Sequence, residues 1–288
     1  MKRILYLDAF AGVSGDMFVG ALLDVGIDLE AVRRDVTCLN LEGFEIRATK
    51  VTRQGLMGTK FDVLDPTTGK NVDNVAGHEH GHGHGHHHEG DRHEQGHHRH
   101  NSSSNRHEPR KHEHRGLSEI RRIIGKSSLS PEIAADAIAV FEILGRAEAA
   151  VHGVEIEEVH FHEVGALDTI VDIVAATSAL HHLGVNEVVC SPIHVGSGTV
   201  QCAHGVLPVP APATLEILKG IPIYATDVQG ELATPTGAAL LKQFCTRFGP
   251  MPHLLVEAIG YGAGTRNFGI PNLLRATVGR MIEIQTEG

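Results

Sequence analysis

The sequence predicts an α/β fold, a mixed sheet with covering helices, interrupted by a disordered His-rich insert. Three observations carry that expectation. The first residues read as a strand, a tight Gly/Ser/Asp loop and a helix, the opening of an α/β domain. Through the second half, short apolar and β-branched runs alternate with helical patterns. From Asp65 to about Arg115 periodicity vanishes into Pro, Gly, Asn, His and Ser, a composition that cannot bury enough apolar surface to order itself. Segments 1–66 and 116–288 are expected to complete one domain around an insert at 67–115.

The elements follow in order. Ile4 to Ala9 reads as a strand, and Met17 to Val25 as a helix stopped at Gly26. Phe44 to Thr52 and Met57 to Leu64 read as a hairpin around Gln54-Gly55. Order returns at Leu117 to Ile124. Ser130-Pro131-Glu132 then supplies a cap and a first-turn proline for a helix to about Val151, with Ile133, Ala137, Val140, Phe141 and Leu144 on one face. Val159 to His162 reads as a strand, Asp168 to Leu183 as a helix ended by Gly184, and Glu187 to Val195 as a β-branched strand. A Gly- and Pro-rich stretch runs to Pro212. A short helix at Ala213 to Leu218, a strand at Ile221 to Ala225 and a helix from Pro235 to Phe244 come next. Strands at Leu254 to Ile259 and Leu274 to Ile284 close the pattern.

Composition narrows the function. Hydrophobic residues at 41% and charged residues at 21% suit a buried core. A formal net charge of −10 argues against binding nucleic acid through its phosphates. No apolar run reaches the length of a membrane helix, and the N-terminal apolar run is too brief for a signal-peptide core. Cys38, Cys190, Cys202 and Cys245 form no C-x-x-C pair and read as scattered buried thiols. A cytoplasmic protein without membrane or nucleic-acid partners is expected.

Fourteen of the twenty-two histidines fall between residues 78 and 114. Imidazole suits nickel, zinc and copper, and glycine between ligands lets the backbone wrap an ion. His78, His80, His82, His84, His86, His87, His88, His93, His97, His98 and His100 are therefore candidate metal ligands. Their irregular spacing points to several exchangeable sites rather than one structural site. A solvated spacer that binds metal incidentally is the plainer alternative.

Four other segments could carry chemistry. On an extended strand His160 and His162 point to one side, with Glu163 beside them. Asp168 opens the following helix, and Asp172 lies one turn on. These five residues are candidates for a metal or acid–base site; an ordinary helix N-terminus favouring acidic residues is the alternative. Asp8-Ala-Phe-Ala-Gly12-Val-Ser14-Gly15-Asp16 forms a strand-to-helix loop suited to an anion. It matches neither the Walker loop nor G-x-S-x-G, and Asp8 with Asp16 could instead hold Mg²⁺. The loop from His194 to Pro212, which includes His204, could bind a ligand or simply connect. Thr234-Pro235-Thr236-Gly237 offers hydroxyls and free N–H groups to a phosphate or carboxylate, although capping alone explains Thr234 and Pro235. Gly260 to Asn267 reads as a glycine-rich turn in which Arg266 could pair with a phosphate.

Together LDAFAGVSGDMFVGALLDVG, the His-rich insert, HFHEVGALDTIVDIVAA, HGVLPVPAPATLEIL and ELATPTGAALL run in order over nearly the whole chain. The set resembles the nickel-insertion proteins of lactate racemase cofactor maturation, the LarC family. The resemblance implies a chelatase or cyclometallase, a lyase that puts Ni²⁺ into pyridinium-3,5-bisthiocarboxylic acid mononucleotide with one Ni–C and two Ni–S bonds. It further implies CTP with Mg²⁺ or Mn²⁺, a cytidylylated intermediate, a homo-oligomer, and lactate racemase as a partner. Members usually continue into a CTP-binding domain, so this chain is expected to be the metal-handling portion and to need that separate C-terminal half for the CTP-dependent step. On this reading Asp16, His160, His162, Glu163, Asp168 and Asp172 are catalytic candidates. Gly12, Ser14, Gly15, His204, Thr234, Thr236, Gly237 and Arg266 are substrate-binding candidates.

Two rivals remain at this point, a non-catalytic nickel store and a Mg²⁺-dependent phosphate-ester hydrolase. Deleting residues 78–114 separates the first from an inserting enzyme. With ample Ni²⁺ supplied, cofactor formation measured by mass spectrometry should persist if the chain catalyses insertion, whereas a store loses its function outright.

Overall fold

The computed structural model describes residues 1–72, 115–159, 161, 166–202 and 204–282. Its architecture is α/β. A seven-stranded mixed sheet is assembled from β1 (Arg3–Asp8), β2 (Glu45–Arg53), β3 (Leu56–Leu64), β4 (Glu187–Cys190), β11 (Arg247–Phe248), β12 (Leu254–Ala263) and β13 (Leu273–Met281). The order across the sheet is β11-β4-β1-β13-β12-β3-β2. Parallel pairs join β1 to β4, β4 to β11 and β3 to β12; the other neighbours are antiparallel. Strands from residues 3–64 therefore interleave with strands from residues 187–281.

Helices α1 (Gly15–Asp24), α2 (Leu29–Thr37), α3 (Leu117–Gly125), α4 (Pro131–His152), α5 (Leu167–Leu183), α6 (Pro212–Ile217) and α7 (Pro235–Phe244) complete the described fold. α1 lies on β12 and β3 and touches α5 and α7. Met17, Phe18 and Leu22 of α1 join Leu5 and Leu7 of β1, Phe61 of β3 and Ile170 and Val174 of α5 in one core. Each such side chain contributes roughly 1.5–3 kcal/mol on burial. α4 buries all five of the residues read onto its inner face, and Ser130 Oγ accepts from Ile133 N at 3.3 Å as its cap.

Close approach of α1 to the sheet depends on glycine. A Cβ on Gly262 would sit 1.7 Å from the Met17 carbonyl, one on Gly260 2.6 Å from Val25 N, and one on Gly20 2.3 Å from the Thr59 carbonyl. This corrects the reading of Gly260 to Asn267 as a turn. β12 runs on through Gly260-Tyr261-Gly262, because its glycines leave room for a helix backbone rather than breaking the strand. Asp24 fastens the far end of α1. Its carboxylate accepts from Thr59 Oγ1 at 2.5 Å, from Tyr261 N at 2.8 Å, and from Lys50.

Other expectations shift. Val159 and Phe161 are buried but belong to no strand, and His160, His162 and Glu163 lie outside the described residues, as does the whole histidine tract. The run from Glu187 to Val195 splits into β4 and β5 (Ile193–His194) at Pro192, which has no N–H for a ladder. β5 pairs with β9 (Ile223–Tyr224). The Gly/Pro stretch is more regular than it reads. It contains β6 (Gly196–Ser197), paired with β10 (Gly230–Glu231), and a hairpin of β7 (Thr199–Cys202) with β8 (Gly205–Pro208). α2 was not legible, since only Val32 and Val36 of its nine residues are buried. Among the thiols only Cys190 is buried, and all four are free.

Two outcomes follow. Gly262→Ala should cost about 3 kcal/mol or more by denaturant unfolding, because backbone atoms on both sides must move. Gly125→Ala, facing open space, should be neutral or slightly stabilising. For Asp24, burial alone would raise the pKa, but the bonds from Lys50, Thr59 and Tyr261 outweigh it and hold the value below the ordinary aspartate range. Its contribution to stability is thus complete above that range and is lost as pH falls through the lowered folded value. Asp24→Asn should flatten that acid limb in pH-dependent melting.

Candidate functional site

Three helices begin at the same place. The β1–α1 loop and the chain entering α7 are stitched together by Val13 N to Leu232 O and Thr234 N to Val13 O, both 3.0 Å. Gly237 permits this, since a Cβ there would meet the Val13 carbonyl at 2.4 Å, and Gly12, at φ 80°, would meet the Leu232 carbonyl at 2.1 Å. α5 joins because Gly15 has no side chain; a Cβ would lie 2.6 Å from Asp172 Oδ2. The N-termini of α1, α5 and α7 thereby converge on a cavity of about 320 Å³. Its walls include Ser14, Gly15, Asp16, Asp168, Asp172, Thr234, Thr236 and Arg266, with Lys60, Asp62, Glu231 and Asn272.

At its centre is Lys60, whose side chain is 8% exposed. Nζ donates to Asp16 Oδ2 at 2.6 Å and to the Phe61 carbonyl at 2.7 Å, and lies 3.2 Å from Asp62 Oδ1. Burial on its own would push this ammonium's pKa down. The carboxylates of Asp16, then Asp62 and Asp172, overcome that and hold it above its ordinary value. The stabilisation is therefore fully present below the ordinary lysine pKa and is lost only as pH rises through the raised folded value. Asp16 is tied further, accepting from Met17 N at 2.8 Å and from Ser14 Oγ.

The α1 N-terminus is thus already answered by an acidic side chain of its own, and Ser14 does not cap it. At α7, Thr234 Oγ1 accepts from Gly237 N at 3.2 Å while Thr236 faces the cavity. The arrangement is a pocket rich in carboxylates, balanced by one buried cation and edged by hydroxyls and Arg266.

Of the residues singled out from sequence, Ser14, Gly15, Asp16, Asp168, Asp172, Thr234, Thr236 and Arg266 meet in this cavity. Gly12 and Gly237 form its backing rather than its lining. His204 sits elsewhere, its ring 4.9 Å from that of His152 at the end of α4. Asp8 is paired with Arg275 Nη2 at 2.5 Å and does not line the cavity with Asp16. Lys60, Asp62 and Glu231 were missed. For Lys60 and Asp62 the signal was a Lys-x-Asp pair on one face of β3, charged at positions where a strand this buried should be apolar; Glu231, in β10, had no such signal. Among the described residues no group of three His, Cys, Asp or Glu is placed to hold a metal ion.

A model of the nickel insertion protein family matches residues 5–288. The chain belongs to that family. Among curated relatives named pyridinium-3,5-bisthiocarboxylic acid mononucleotide nickel insertion protein, that of Desulfitobacterium hafniense (strain DSM 10664 / DCB-2) is 46% identical over 98% of this chain and 59% of its own length. That of Geobacillus kaustophilus (strain HTA426) is 42% identical over 99% of this chain and 62% of its own length. That of Thermotoga sp. (strain RQ2) is 43% identical over 96% and 61%. The chain thus spans about three-fifths of these nickel insertion proteins. No solved structure matches it at a significant level. No helix among the described residues is long and apolar enough to cross a membrane.

Lys60→Met should destabilise the fold by about 3 kcal/mol in denaturant titration, because it strands buried carboxylates without their cation. Lys60→Arg should recover part of that loss.

Proposed function

We propose that this chain is the part of a nickel-inserting enzyme that holds pyridinium-3,5-bisthiocarboxylic acid mononucleotide while Ni²⁺ is bonded to its sulfurs and ring carbon. The observation that carries the reading is the carboxylate-rich cavity around Lys60, in a chain of the nickel insertion family. The pyridinium ring is cationic and suits a wall of carboxylates. Its thiocarboxylates suit the hydroxyls of Thr234 and Thr236 at the start of α7. Nickel is a substrate here, and the acceptor's own two sulfurs are donors that suit it.

Forming the Ni–C bond replaces a ring hydrogen, so a proton must leave as the metal arrives. Of the five carboxylates that line the cavity, Asp16, Asp168 and Asp172, at the starts of α1 and α5, are the candidates to take it. Asp16 accepts from Lys60 Nζ, Met17 N and Ser14 Oγ, and Asp168 and Asp172 line the same cavity from the start of α5; these last two are the proposed acceptors. His160, His162 and Glu163 remain candidates for passing nickel into the cavity, and the histidine tract at 78–114 for gathering it. CTP with Mg²⁺ or Mn²⁺, and the lyase-type reaction class, belong to this proposal for the full-length protein, as does a cytoplasmic setting. The C-terminal half, lactate racemase and a homo-oligomeric state complete the proposed partners.

The test is nickel-adduct formation from the dithiolated mononucleotide, Ni²⁺ and CTP, read by mass spectrometry with the remaining two-fifths of a relative's length supplied. Asp172→Asn should lower the rate about a hundredfold or more if it accepts the ring proton. Unchanged rates in both Asp172→Asn and Asp168→Asn would remove the assignment.

A further inference from the structure

A second cavity adjoins the first and differs from it in charge. It has a volume of about 210 Å³ and lies between the β2–β3 turn and the β12–β13 loop, lined by Thr52, Arg53, Gln54, Thr265, Arg266 and Asn267. Thr265 and Arg266 line both cavities, so the two are neighbours across one wall. Among the described residues no acidic side chain lines the second, whereas Asp16, Asp62, Asp168, Asp172 and Glu231 line the first. In a chain of net charge −10, two guanidinium groups on one concavity form a local positive pole.

Both walls of this cavity are built. Gln54 and Gly55 have φ of 48° and 83°, the two positive values of a tight hairpin turn whose twist suits β2 and β3. A glutamine held in the left-handed region needs a reason, and its Nε2 reaches Asn267 Oδ1 at 3.5 Å across the gap. Asn267 Oδ1 also accepts from Gly269 N at 3.1 Å, and Asn272 Nδ2 donates to the Arg266 carbonyl at 2.9 Å, so the opposite loop is closed on itself. Arg53 spends Nε on the Gly264 carbonyl at 2.8 Å and Nη1 on the Thr52 carbonyl at 3.2 Å. Those bonds orient its fork and leave donors over. The Arg266 side chain is exposed at the shared wall.

We propose that this second cavity is a phosphate-monoester subsite, in which Arg53 and Arg266 hold the phosphate of the mononucleotide whose ring lies in the first cavity. The proposal rests on the reading of the first cavity given above. A dianion is repelled by the carboxylates around Lys60, and α1's N-terminus is already occupied by Asp16. Bidentate guanidinium contacts suit phosphate geometry. The mononucleotide carries a pyridinium, whose two thiocarboxylates are the groups that take up Ni²⁺, at one end and a phosphate dianion at the other, so the metal-receiving end suits the acidic cavity and the phosphate the basic one.

The probes are pyridinium-3,5-dicarboxylic acid mononucleotide, the oxygen analogue of the acceptor, and its nucleoside, titrated calorimetrically into the chain. The wild type should bind the mononucleotide about tenfold to a hundredfold more tightly than the nucleoside. Arg266→Ala should erase most of that preference, weakening the mononucleotide far more than the nucleoside, and Arg53→Lys, which keeps the charge but loses the fork, should erase part of it. Equal binding of nucleotide and nucleoside by the wild type would overturn the subsite and leave the reading of the first cavity standing. So would an equal loss of both ligands in Arg266→Ala. Failure of the wild type to bind either probe would overturn that reading and the subsite with it. CTP serves as the third arm: phosphate preference unaffected by saturating CTP supports the assignment, and variants that lose CTP alone contradict it.

Discussion

The buried ammonium of Lys60 is the interaction on which this site depends. Asp16 comes from α1, Asp62 from β3 and Asp172 from α5, and their like charges would drive these elements apart without a cation among them. A lysine that is 8% exposed is costly to desolvate, and only several carboxylates together make it favourable. The cluster therefore ties three elements to one point and gathers carboxylates inside a concavity before any ligand arrives.

Glycine makes that geometry attainable. Gly20, Gly260 and Gly262 let α1 lie directly on β3 and β12, while Gly12, Gly15 and Gly237 let the starts of α1, α5 and α7 meet. In each pair the obstacle to a larger residue is a backbone atom or the Asp172 side chain, neither of which is free to swing away. The stability of the sheet–helix contact and the shape of the cavity are thus one property. Loosening the first opens the second. Asp24 at the other end of α1 works in the same sense, locking the helix to Thr59 and Tyr261 so that its N-terminus cannot slide.

Much of this was legible in residue order, for reasons specific to each element. α4 and α7 open on a capping hydroxyl and a first-turn proline, α4 and α5 end at Gly153 and Gly184, and all three lie where the pattern puts them. The hairpin at Gln54-Gly55 declares itself by its turn. The site was half visible. Asp16, Asp168, Asp172, Thr234, Thr236 and Arg266 stand out as polar residues at loop and helix starts, and they meet in space. Lys60 did not stand out, because a charged residue in an isolated strand reads as solvent-facing until its partners are known. The glycines of β12 misled for the complementary reason, since what they accommodate is a helix over 200 residues away in sequence. Asp8 looked like a partner for Asp16, but Arg275 on the adjoining strand claims it.

The relatives extend well beyond the length matched here, and their names tie them to one acceptor molecule. On the reading proposed above, an acidic cavity beside a basic one suits the metal-receiving and phosphate ends of such a mononucleotide. Anomalous diffraction at the nickel edge, from crystals of the chain grown with Ni²⁺ and the dithiolated mononucleotide, tests this most directly. The account predicts a nickel peak inside the cavity, between the starts of α1 and α5 and within reach of Asp16 and Asp172. A peak confined to sites outside that cavity, with the mononucleotide bound elsewhere, would contradict it.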